Sequence, residues 1–97
     1  MFNEPSKKRL NQLPSLYSTQ DIPLQQKEVW LHFFIGGSDW WAVEFDPDSG
    51  IFFGKADLGF PELGSFSLEE LEGYKGPLGL GIERDLYFTP KPISQCK

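Results

Sequence analysis

The sequence predicts an α+β fold. Its centre is an antiparallel β-meander of four to five strands, with a short N-terminal helix and a short late helix packed on one face. Three observations carry this. Val29 to Gly54 holds all three tryptophans and five of the nine phenylalanines, cut into three apolar runs by two turn signals. Strands joined by such short turns pair antiparallel with their neighbours. Helix-start signals stand before and after this block but not inside it, which places the helices together against a sheet.

The elements follow in order. Ser6 is an N-cap for a helix from Lys7 to Leu13, with Leu10 and Leu13 on one side. Pro14 ends it, because a residue before proline avoids the helical region. Val29 to Ile35 is rich in strand formers. Strict alternation sends Val29, Leu31, Phe33 and Ile35 to one face and Trp30, His32 and Phe34 to the other. Gly36 to Asp39 is a turn. Trp40 to Asp46 alternates Trp41, Val43 and Phe45 against Trp40, Ala42 and Glu44. Asp46-Pro47-Asp48-Ser49-Gly50 is a hairpin loop, with proline and glycine at the positions such turns favour. Ile51 to Asp57 is the third strand, in which Gly54 marks a bulge or a close approach of another backbone. Leu63 to Phe66 is a short fourth strand. Ser67 to Glu70 is a capping box that opens a helix carrying Leu68 and Leu71. Residues 76–88 make a last strand. Residues 1–97 form a single domain, with an ordered core over about 6–92 and a frayed tail over 93–97.

Composition narrows the function classes. With 97 residues and one cysteine, the chain has no internal disulfide and one small core. The expected setting is reducing and cytoplasmic. No apolar run approaches the roughly 20 residues that span a bilayer, so no membrane association is expected. The net charge is −5, but residues 39–72 carry nine acids against one base. Such a field repels nucleic acid and attracts basic surfaces.

Chemical motifs are sparse. His32 is the only histidine and sits mid-strand, so it reads as structural. Asp46 and Asp48 fail the calcium-loop pattern, since Ile51 and Asp57 fall where glycine and glutamate are needed. Arg84-Asp85 reads as a local ion pair or a turn. No phosphate-binding loop is present. Neither a catalytic residue, nor a metal site, nor a cofactor is expected. The expected binding surface combines carboxylates with two tryptophans: Trp30, Asp39, Trp40, Glu44, Asp46, Asp48, Asp57 and Glu62.

The stretches LPSLYSTQDIPL (13–24), HFFIGGSDWWAVEFD (32–46), IFFGKADLG (51–59), ELGSFSLEELE (62–72) and GPLGLGIERDLYFTPKP (76–92) together resemble a family of small bacterial proteins of unknown function. Its members are common on plasmids, integrative elements and phages. The resemblance implies accessory cargo of mobile DNA and supplies no reaction. Three readings follow. The first is a non-enzymatic module whose carboxylates bind a basic protein surface, for example by competing with phosphates for the groove of a host defence complex. The second is an enzyme or small-ligand module with a pocket around His32, Glu44 or Arg84. The third is an accessory DNA- or RNA-binding protein using Lys7, Lys8 and Arg9.

Overall fold

A computed structural model describes residues 4–74 and 81–96. The elements are α1 (Lys7–Leu10), β1 (Glu28–Val29), β2 (Leu31–Ile35), β3 (Ser38–Asp46), β4 (Ile51–Asp57), β5 (Pro61–Ser67), α2 (Leu68–Gly73), β6 (Glu83–Arg84) and β7 (Lys91–Pro92). Short 3-10 turns cover Leu24–Gln26 and Ile93–Gln95. The main sheet has the antiparallel order β5-β4-β3-β2-β6, and β1 pairs with β7 in a separate two-stranded ribbon. The fold is therefore α+β, as the sequence predicts.

Both predicted caps are made. Ser6 accepts from the Arg9 amide at 3.2 Å. Ser67 and Glu70 exchange the two reciprocal bonds of a capping box, at 2.9 and 3.0 Å. The first helix is shorter than expected: beyond Leu10 the amides of Gln12 and Leu13 reach back only three residues, to Arg9 and Leu10. Leu10 and Leu13 are nonetheless both buried.

The main core lies on one face of the sheet. Leu31 and Phe33 from β2, Trp40, Ala42 and Phe45 from β3, Phe52 from β4 and Phe66 from β5 meet Leu10 and Leu71 of the two helices. Phe52 is its centre. Its ring lies 4.6 Å from Phe45, 5.7 Å from Phe33 and 5.5 Å from Phe66. Burying each such ring contributes about 1.5–3 kcal/mol, and ring pairing adds about 0.5–1.5 kcal/mol.

A smaller core occupies the other face, from Val29, Trp41, Val43, Ile93 and Cys96, flanked by Leu24 and Phe88. It corrects the expected tail. Ile93 and Cys96 are buried, and the Ile93 amide donates to the Lys27 carbonyl at 2.9 Å, so the chain through Cys96 is docked. Burial also pushes the Cys96 thiol above its usual range. The native protein is expected to react with a thiol reagent at least about tenfold more slowly than the denatured chain. A rate unchanged by denaturant would show that the C-terminal segment opens freely.

Two departures from strict alternation set the faces. The first strand breaks at Trp30, so Val29 belongs to the small core while Leu31 and Phe33 belong to the main one. A register shift between Ala42 and Glu44 then inserts Val43 as an extra residue. A bulge of this kind reverses which side chains face which way beyond it. Phe45 thus joins Trp40 and Ala42 in the main core, opposite to the expected face. The expected last strand is realised in the described residues only as β6, while Leu78 and Leu80 lie outside them. Among the described residues no helix is long and apolar enough to cross a membrane.

Candidate functional site

Strand register sorts the expected surface residues. Asp39 lies opposite Asp57, and Ala56 opposite Glu62, so Asp39, Asp57 and Glu62 gather at one end of the sheet. Asp39 and Asp57 share one face. Glu62 projects from the other, since side chains alternate along a strand. Asp46, the last residue of β3, and Asp48, in the β3–β4 loop, lie at the opposite end. There Asp46 accepts from the Ser49 hydroxyl and the Asp48 amide, and those bonds hold its carboxyl below the usual range.

Two expected residues leave the surface and a third is half-covered. Trp40 is only 8% exposed and belongs to the main core. Trp30 is half-buried against the same core, its indole N–H enclosed without an acceptor among the described residues. Glu44 is only 3% exposed. Trp40 is therefore no part of an exposed patch, because packing one face against the helices uses its ring as core, and Trp30 keeps only part of its surface.

Other apolar residues take their place at the surface. The β4–β5 turn carries Leu58 and Phe60, 66% and 70% exposed, and Leu63 is exposed at the start of β5. The available signal was a pair of apolar residues inside Leu58-Gly59-Phe60-Pro61, a turn that cannot bury them. This acidic sheet end is thus tipped with apolar side chains. Like charges directly opposite on paired strands are destabilising, and two local bonds offset the Asp39–Asp57 pairing. Asp57 accepts from the Gly59 amide at 3.1 Å. Asp39 is met by His32.

His32 is a clamp between strands. Nε2 lies 2.8 Å from Asp39 Oδ1 and Nδ1 lies 3.1 Å from Asp85 Oδ2. Its ring stacks on Trp41 at 5.3 Å and 7°, with Phe34 and Phe88 beside it. Two ionised carboxylates are both satisfied only when both ring nitrogens carry protons. With both nitrogens engaged, the ring has no free base for proton transfer. Asp85 also accepts from the Tyr87 amide and donates its own amide to the His32 carbonyl. It therefore works as a turn residue tied to His32, rather than only to its neighbour Arg84.

Glu44 builds a second polar site. The bulge turns it away from the main core, beneath the loop over residues 15–22. Its carboxylate accepts from the Tyr17 amide at 2.8 Å, the Thr19 amide at 3.1 Å and the Thr19 hydroxyl. Tyr17 has φ 66°, a strained conformation for a bulky residue, and this carboxylate holds it there. Lys27, buried like Thr19, donates to the Thr19 carbonyl and to Thr19 Oγ1, the latter at 2.9 Å. Phe45 is anchored alongside, its amide donating to the Pro14 carbonyl at 2.9 Å. The sequence marks Glu44 as a candidate, but nothing in it marks Lys27 or Thr19. Among the described residues no group of three or more His, Cys, Asp or Glu is placed to hold a metal ion.

A family model described as "Protein of unknown function (DUF2958)" matches residues 12–96. No curated protein and no solved structure matches the chain.

Proposed function

The chain belongs to the DUF2958 family, and from that premise we propose that it is a non-enzymatic protein-interaction module. Its binding end is the β4–β5 tip with the adjoining start of β3. The observation that carries this is the exposure of Leu58, Phe60 and Leu63 beside Asp39, Asp57 and Glu62. Apolar anchors rimmed by charge are the usual anatomy of a partner surface. The partner is a protein with a basic surface. In keeping with a family resemblance to cargo of plasmids, integrative elements and phages, its class is a host defence complex, of the CRISPR or restriction kind, whose nucleic-acid groove is basic. The carboxylates would occupy phosphate positions there. Asp48 and the rest of the acidic middle segment contribute to long-range steering rather than to contact. An enzymatic role finds less support, because His32 has both nitrogens engaged and Glu44 has both oxygens bonded.

The test is affinity purification from a host that carries the gene, followed by binding measurements with the partner recovered. Affinity is expected to fall steeply between low and physiological salt. The double reversal Asp57→Lys with Glu62→Lys is expected to weaken it by at least about tenfold, and Phe60→Ala to cost about 1 kcal/mol or more. Binding that ignores salt and tolerates all three changes would reject the proposal.

A further inference from the structure

A cavity of about 350 Å³ lies between the loop over residues 15–22 and the sheet, lined by Tyr17, Gln20, Lys27, Glu44 and Phe53. Its size is at the lower end of small-molecule sites. Two of its lining residues are oppositely charged and more than nine-tenths buried, Lys27 and Glu44. Glu44 is satisfied by three donors. Lys27 is not satisfied to the same degree. An ammonium has three protons to give, and both of its acceptors belong to Thr19. Among the described residues its third N–H meets no acceptor, and no carboxylate lies within ion-pair distance of it. A buried cation left short of a partner is costly, and an oxygen placed in the cavity removes that cost.

We infer that this cavity is a binding site for a small neutral carbonyl compound with a planar apolar body, its oxygen accepting from Lys27 and its body resting against Phe53 and Tyr17. Charge balance selects the neutral class. The Thr19 hydroxyl already links the ammonium to the Glu44 carboxylate, so the cavity holds one charge of each sign. An anionic ligand would add a second negative charge to a half-enclosed space. The exposed Gln20 also lines the cavity, and its amide supplies a second polar contact. This site stands apart from the β4–β5 tip and does not depend on the interaction role proposed for it.

The experiment is a titration of the full chain, isotopically labelled, with benzamide and separately with benzoate, followed by backbone amide resonances. Benzamide is expected to give saturable shifts at Tyr17, Gln20, Lys27 and Phe53. Benzoate should bind at least about tenfold more weakly. Lys27→Met keeps the stem and removes the donor, and should weaken benzamide by about tenfold. Should that variant fail to fold, Gln20→Ala changes an exposed residue and should still weaken binding by about threefold. Absence of saturable shifts, or shifts equal in the wild type and both variants, overturns the site. Benzoate binding as tightly as benzamide overturns the assignment of a neutral ligand.

Discussion

Gly54→Ala is expected to destabilise the protein more than any other single methyl addition in the sheet. A Cβ built at Gly54 would lie 1.9 Å from the Trp41 carbonyl oxygen and 3.0 Å from its carbon. No real side chain tolerates such a contact, and the obstacle is backbone in the middle of β3, which cannot rotate aside. The strand must separate from its neighbour or the bulge at Val43 must be rebuilt. Overpacking of this kind costs about 3 kcal/mol. For a domain of this size each kcal/mol lowers Tm by about 4–8 °C, so a fall of about 12 °C or more is expected. Gly64 is its cross-strand partner on β5, where an added Cβ meets nothing within 4 Å. Gly64→Ala therefore serves as the control and should shift Tm by no more than about 4 °C. Thermal denaturation followed by circular dichroism reads both. Equal, small shifts would show that β3 and β4 do not approach as described.

Glu44→Ala is expected to be of similar size for a different reason. It removes the acceptor of the Tyr17 amide, the Thr19 amide and the Thr19 hydroxyl at once. It also leaves the Thr19 hydroxyl, which accepts from the buried Lys27 ammonium, without its carboxylate acceptor. Each donor left unsatisfied costs about 1–3 kcal/mol, about 3 kcal/mol or more for the three together. Tyr17 would lose what holds it at positive φ. The variant should melt at least about 12 °C lower, and its Tyr17 and Thr19 amides should exchange much faster. The companion change Lys27→Met removes the buried ammonium. Glu44→Ala with Lys27→Met is thus expected to be more stable than the sum of the two single changes by about 1 kcal/mol or more. Strict additivity would show that the two charges do not sense one another.

The two results separate what local sequence specifies from what it does not. Gly54 was legible in the sequence as a bulge or a place of close approach, because a glycine among aromatic strand residues has few other reasons to be there. The helix caps, the loop at Asp46–Gly50 and the hairpin pairing of β2 through β5 were legible for the same reason: each depends on residues within a few positions of one another. The Glu44 network was not. It joins Tyr17, Thr19, Lys27 and Glu44 across some 25 positions of chain, and no local pattern requires that meeting. Trp40 shows the same limit from the other side. Alternation along one strand gave two faces, but it could not say which face the helices cover. Trp40, expected at an exposed surface, lies in the core for that reason.

Local sequence thus determined the kinds of element, their order and their turns. Backbone preference and side-chain period act over a few residues, and both are strong in a chain so rich in aromatics and turn formers. Only the tertiary structure decided which carboxylates reach solvent. The break at Trp30 and the bulge at Val43 each displace the alternation by one residue, and a displacement by one exchanges inside for outside. That single step places Phe45 in the main core. It also turns Glu44 beneath the loop over residues 15–22, and so separates one buried acid from the acidic field at the sheet's end.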